Sequence, residues 1–184
     1  MTSALLIIDI QNDYFPGGRM ELVGAQEAGG AAARILARFR ERGLPVFHVR
    51  HESVREGASF FLPGTAGADI HPLVTPLDGE TVVTKHFPNS FRETPLLEAL
   101  RSAGATRLLV AGMMTHMCVD AGVRAAVDLG FDCAVLADGT ATRDLDFGGE
   151  TVPAHRVQGA FLAALGSAYC PVLGEDGVDG WLDG

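Results

Sequence analysis

Three residues of this chain could together carry nucleophilic chemistry: the acid Asp9, the base Lys85 and the thiol Cys118. A carboxylate within reach of a thiol can take its proton. A lysine ammonium beside both stabilises the thiolate that results and fixes the carboxylate. Cys118 stands where an amphipathic pattern begins, continued by Gly122, Ala125 and Ala126, shortly after the apolar run Arg107–Gly112. That is the first turn of a helix following a strand, where unpaired N–H groups and the helix dipole favour a thiolate. Taken singly, each residue has an ordinary explanation. Cys118 is also a small residue of the kind found buried in cores, Asp9 suits a loop cap, and a lone lysine is commonly solvated.

The elements that must position the three are legible as alternating patterns. Ala4 to Ile10 reads as a buried strand carrying Asp9 at its end, followed by a turn-rich segment from Gln11 to Gly18. Ala28, Ala32, Ile35, Leu36 and Phe39 recur at helical spacing from Ala25 to Arg42, and Gly43 stops that helix. Pro45–Arg50 is a second strand, and 52–79 a long loop rich in glycine and proline, of a length usual for functional or interface loops. Thr81–Thr84 is a third strand running into Lys85, and a helix opens near Thr94 and Pro95 and closes at Gly104. After the strand and helix around Cys118, Asp132–Ala137 is a fifth strand, 138–149 a polar loop, and Pro153–Leu165 a helix with Val157, Ala160, Phe161 and Ala164 inward. Ala168–Leu173 is the last strand, and 174–184 an acidic, glycine-rich tail that either frays or serves an interface. The pattern predicts one α/β domain over 1–184: a three-layer, Rossmann-like fold with a six-stranded, mainly parallel sheet and helices on both faces. Such sheets bind ligands beyond the carboxyl ends of their strands, which is where Asp9, Lys85 and Cys118 fall.

Composition narrows the function. The 184 residues carry a net charge of −9 and are 47% hydrophobic, with no run of membrane-spanning length. Neither nucleic acid nor a membrane is an expected partner; a small-molecule substrate is. Three cysteines without a CxxC pair indicate reduced thiols in a cytoplasmic protein, with Cys133 and Cys170 in the core. The N-terminal apolar run is short and lacks a basic flank, unlike a signal peptide.

The blocks Leu6-Ile7-Ile8-Asp9-Ile10-Gln11-Asn12-Asp13, Val83-Thr84-Lys85 and Gly112-Met113-Met114-Thr115-His116-Met117-Cys118-Val119 resemble, in order, the signature blocks of the isochorismatase-like cysteine hydrolases. The branch that includes streptothricin hydrolases is the most similar, and nicotinamidases are related. The resemblance implies an Asp9–Lys85–Cys118 triad, a cis peptide at Met113–Met114, and an oxyanion hole made by the Met114 and Cys118 amides. It implies hydrolysis of a C–N bond (amide, carbamoyl or lactam) through a Cys118 thioester, with enol-ether hydrolysis or nicotinamidase activity as alternatives, and a homodimer or homotetramer. No cofactor is expected. The Asp-x-His metal motif of nicotinamidases has Val49-Arg50-His51 in its place, and His48 and His51 point to opposite faces of a strand, so no metal site is expected. His71 and His86 read as surface or interface residues, and His116 as a structural hydrogen-bonding group.

Gln11, Phe15, Phe87, Phe91, Met114 and Met117 are candidates for the substrate pocket, with ordinary core packing as the alternative. A binding protein with an idle triad is the rival of another class. Iodoacetamide separates the two: an enzyme should be alkylated at Cys118 near neutral pH ahead of Cys133 and Cys170, an idle scaffold slowly and equally at all three.

Overall fold

The computed structural model describes residues 1–184. Its strands are β1 (Thr2–Ile8), β2 (Val46–His51), β3 (Thr81–Lys85), β4 (Ala105–Met113), β5 (Asp132–Ala141), the hairpin β6 (Leu145–Phe147) and β7 (Glu150–Val152), and β8 (Val172–Leu173). The helices are α1 (Ala25–Glu41), α2 (Leu96–Ser102), α3 (Asp120–Asp128), α4 (Ala154–Ala168) and α5 (Val178–Asp183). Six strands form one parallel sheet in the order β3-β2-β1-β4-β5-β8, as the alternating pattern predicts.

A parallel sheet covered on both faces needs apolar side chains on both sides of each strand. In β1, Leu5 and Ile7 enter the core under α1, while Ala4, Leu6 and Ile8 enter the opposite core. β4 divides in the same way, Leu109, Ala111 and Met113 against Leu108 and Val110. The first core is closed by Ala28, Ala32, Ile35, Leu36 and Phe39 of α1, the second by Leu96 and Leu100 of α2, Val123 and Ala126 of α3 and Leu165 of α4.

Strand order reverses at β1, which pairs with β2 on one side and β4 on the other, so their carboxyl ends open a crevice. Ile8 lies opposite Gly112, where a Cβ would stand 2.0 Å from the Ile8 carbonyl oxygen and φ is +142°. Only glycine permits that approach. It brings the residue after β1, Asp9, against the turn that follows β4.

Several expected boundaries change. The segment 138–149 is not a plain loop: β5 continues to Ala141 past a register shift, and β6 and β7 form an antiparallel hairpin. Ala160 and Ala164 face outward on α4, because the helix packs through Ala154, Val157 and Leu165 instead. The last strand keeps only Val172 and Leu173, since α4 runs on to Ala168; Cys170 is buried all the same. The tail is a docked helix. Val178 is buried, Trp181 lies over the Arg107 guanidinium, and Arg42 binds Asp179 and Asp183.

Glu80, just before β3, ties three elements together. It accepts from Arg40 Nε (2.7 Å), the Leu77 N–H (2.9 Å) and His48 Nε2 (2.9 Å). Burial raises its pKa, but the Arg40, Leu77 and His48 hydrogen bonds outweigh burial and bring it to about 2. A depressed carboxylate stabilises the fold above its unfolded pKa of about 4.3 and loses that contribution as pH falls through the folded value. Glu80→Gln should therefore lower the unfolding free energy at neutral pH by about 1–3 kcal/mol. It should also flatten the loss of stability from about pH 4 down to about 2. An acid limb unchanged from the parent in urea titrations would contradict this role.

Candidate active site

Four strands deliver side chains to one point. Asp9 follows β1 directly, its N–H held by the Val49 carbonyl of β2 at 2.9 Å and its φ at +52°, a left-handed conformation that aspartate tolerates better than most residues. His51 and Lys85 close β2 and β3 and are paired in register. Cys118 lies in a wide helical turn, Thr115–Val119, between β4 and α3, in which the Val119 N–H reaches back to the Met114 carbonyl. The turn is pinned from outside. His116 Nδ1 meets Thr142 Oγ1 at 2.6 Å, and Thr115 Oγ1 meets Gln158 Oε1 at 2.6 Å while Gln158 Nε2 donates to Thr140 Oγ1.

Lys85, the only lysine in the chain, is fully buried. Its Nζ stands 2.7 Å from Asp9 Oδ2, 3.1 Å from His51 Nδ1 and 3.3 Å from Cys118 Sγ. The contact with Asp9 is an ion pair off the ideal hydrogen-bond direction, and neither carboxylate oxygen has a well-directed donor. Burial accordingly raises the Asp9 pKa, against the pull of Lys85. For Lys85 burial acts downward, but Asp9 and the cysteine sulfur prevail and its pKa is raised. His51 is lowered to about 3, by burial first and then by the Lys85 charge. It is a neutral acceptor for the ammonium.

Cys118 departs from expectation. Its thiol pKa is pushed far up, by burial and then by the Asp9 carboxylate, with Lys85 opposing. The site holds one cation and so stabilises one anion; Asp9 takes that place and Cys118 keeps its proton. The helix start therefore gives no resting thiolate, and the preferential alkylation of Cys118 near neutral pH expected of an enzyme does not follow for the free protein. At the floor of the cavity Sγ is almost entirely desolvated and faces the Asp9 carboxylate, and both effects disfavour the thiolate.

Asp9, His51 and Cys118 have ligand atoms within 4.8 Å of one another, a spacing that would suit a metal ion. The ammonium of Lys85 already contacts all three groups, so a cation there would meet another cation at contact distance. Val49 stands where a nicotinamidase-like site would need an acid. These residues do not fit a metal.

A cavity of about 350 Å³ opens above Cys118, lined among others by Tyr14, His51, Phe60, Met114 and Met117. Of the residues expected there, Met114 and Met117 line it. Gln11 is buried behind the wall, where its side-chain amide accepts from the His51 N–H and donates to the carbonyls of His51 and Ala68. Phe15 stacks on His71 at 3.6 Å on another surface, Phe87 lies under the Arg92 guanidinium, and Phe91 packs on Phe131. Tyr14, beside the first motif, lines the cavity, while Phe15, Phe87 and Phe91 thus serve the scaffold around the site. The wall that replaces them comes from the 52–79 loop, which folds back through a bridge between Gln11 and Ile70 and a hydrogen bond from the Phe61 N–H to Asp13 Oδ2. His86, expected to be a surface residue, also lines the cavity. His51 carried no signal in the sequence, where it falls just past the expected strand end; the structure extends β2 to it and pairs it with Lys85.

A doubly wound parallel sheet with an acid, a lysine and a cysteine gathered beyond the carboxyl ends of its strands is an α/β scaffold with a thiol-centred site. The chain belongs to the isochorismatase family: the isochorismatase domain model matches residues 3–160. It is 50% identical over 172 residues to the isochorismatase family protein YddQ of Bacillus subtilis, covering 94% of this chain and 96% of that protein. It is 34% identical over 173 residues to a streptothricin hydrolase of Streptomyces noursei, covering 89% of this chain and 59% of the relative. Among solved structures, an isochorismatase-type hydrolase of Oleispira antarctica superposes with a TM-score of 0.93 at 51% identity, over 100% of this chain and 97% of that one.

The charge balance at Cys118 can be tested directly. Asp9→Asn removes the carboxylate that raises the thiol and leaves Lys85 as the one charge beside Sγ. The alkylation profile of Cys118, followed by mass spectrometry across pH, should then move to lower pH while hydrolysis is lost. A shift to higher pH would show that Asp9 is not what keeps the thiol protonated.

Proposed function

We propose that this protein is a cysteine hydrolase that cleaves a C–N bond (amide, carbamoyl or lactam) of a small molecule through a Cys118 thioester. The observation that carries this is the Lys85 ammonium held between the Asp9 carboxylate and Cys118 Sγ at the base of a cavity. Asp9 takes the thiol proton as Sγ adds to the substrate carbonyl. The charge that was on Asp9 passes to the carbonyl oxygen. The Met114 N–H, which has no acceptor within the chain, and the Cys118 N–H are the donors assigned to that oxygen. Collapse breaks the C–N bond, and the amine leaves with the proton from Asp9. A water deprotonated by Asp9 then adds to the thioester, and the acid departs as Sγ recovers its proton. Lys85 keeps its positive charge beside Asp9 and Sγ, and the backbone amides meet the charge on the carbonyl oxygen, so each step has a partner for the negative charge. A relative that is a streptothricin hydrolase and another that is a nicotinamidase, at 34% and 28% identity, support amide chemistry on this scaffold.

Cys118→Ala should abolish release of amine or ammonia across a panel of small amides while leaving the unfolding midpoint nearly unchanged. Acid-quenched wild-type protein should carry an acyl mass increment on the peptide containing Cys118. Retained hydrolysis in the variant would end the thioester proposal. The base form of Asp9 is required, and burial raises its pKa, so kcat/KM should fall on acidification at a pH above the ordinary carboxylate range, near 3.9. Lys85 is raised, so no alkaline loss should occur below the ordinary lysine range, near 10.4.

A further inference from the structure

The rim of the cavity above Cys118 differs in charge from the rest of the molecule. The chain has 23 acidic residues and a net charge of −9, yet no aspartate or glutamate lines this cavity. Arg55, Arg143 and His86 do. Eight of the thirteen arginines are committed to ion pairs: Arg34, Arg38, Arg40, Arg42, Arg50, Arg92, Arg107 and Arg124. Arg55 and Arg143 are not among them. The only side-chain hydrogen bond of Arg143 is a long one, 3.4 Å, to the neighbouring Asp144 carbonyl, and the Arg55 guanidinium makes none. In a protein with such an excess of carboxylates, two guanidinium groups left without an acidic partner on the wall of one small cavity are a specific feature.

Guanidinium groups bind carboxylates through paired N–H donors. The two come from different segments: Arg55 from the 52–79 loop, Arg143 from the chain just beyond β5. The base of the cavity offers no competing charge, because Asp9 is neutralised by Lys85 and His51 is neutral. We infer that the substrate is a small amide or carbamoyl compound bearing a carboxylate, its scissile carbonyl over Cys118 and its carboxylate held by Arg143 and Arg55. This inference rests on the hydrolase proposal for Cys118 and adds the charge of the substrate to it. A cationic amide meets like charge at the rim and is selected against. The cavity volume of about 350 Å³ restricts the class to compact molecules.

The test uses three amides of matched length: succinamate (anionic), butyramide (neutral) and 4-aminobutyramide (cationic). Each is titrated calorimetrically against Cys118→Ala, which reads binding without turnover, and assayed with wild-type protein for ammonia. Succinamate should bind Cys118→Ala at least about tenfold more tightly than butyramide, and 4-aminobutyramide more weakly than either. Combining Cys118→Ala with Arg143→Gln or Arg55→Gln should reduce the succinamate preference roughly tenfold, Arg143→Lys should restore part of it, and Arg101→Gln, on α2 away from the cavity, should change nothing. The preference should also weaken with added salt. Equal or weaker binding of succinamate than of butyramide, or binding of none of the three, overturns the inference. Hydrolysis of all three without charge preference overturns it while leaving the hydrolase proposal standing. Tight succinamate binding without ammonia release or acylation of Cys118 supports the anion site and counts against the hydrolase.

Discussion

The contact on which the rest depends is the buried ion pair between Lys85 and Asp9. Neither charge is tolerable alone at zero exposure; removing one partner of such a pair typically costs about 3–5 kcal/mol, because the other is left bare. The topology makes the pair difficult to form. β3 is not the neighbour of β1, since β2 lies between them, so two strand spacings of about 4.8 Å separate the backbones that carry the charges. A lysine at the end of β3 is long enough to cross beneath that gap, and His51 at the end of β2 receives it on the way through a ring nitrogen that burial keeps unprotonated. On the opposite side, Gly112 lets β4 close on Ile8, which brings Cys118 within 3.3 Å of the same ammonium. Strand order, one glycine and one long side chain thus determine the site together.

This arrangement also explains why the sulfur stays protonated. A thiolate at a helix start is common where solvent or several cations share its charge. Here Sγ is buried, and a single cation is already matched by a carboxylate. A second anion would be unbalanced until a substrate carbonyl accepts the charge. In the proposed mechanism the nucleophile is generated only when a carbonyl is present to attack, with the carboxylate as the proton store.

Much of this was legible in the sequence because it depends on short-range pattern. The strands around Ile7, Val83 and Val110 are continuous apolar runs, and their ends carry Asp9, Lys85 and, shortly after, Cys118. What the sequence hid was long-range. Phe15, Phe87 and Phe91 are near the signature residues in the chain, yet each turns to a scaffold partner: His71, Arg92 and Phe131. One side of the wall is supplied by residues such as Phe60 and Arg55, from a loop without periodicity whose course is fixed by hydrogen bonds to Gln11 and Asp13. The buried face of α4 differs from the expected one because Ala160 and Ala164 are apolar but small, and alanine reports poorly on which side of a helix is buried. The tail became a helix through its partners Arg42 and Arg107, which local composition does not reveal.

Chemistry and selection are consequently assigned to different parts of the fold. The reactive groups stand on strand ends and a turn braced by Thr115, His116 and Gln158, where small displacements would separate Nζ from its partners. Other groups lining the cavity come from loops outside the sheet, notably around Arg55 and Arg143. Loops of this kind change without disturbing a scaffold. The neutral base of the cavity makes that division effective. With Asp9, Lys85 and Cys118 summing to no net charge, the field in the cavity is set by its rim, and in the proposed hydrolase a change of one rim arginine would alter what enters without altering how the thiol reacts.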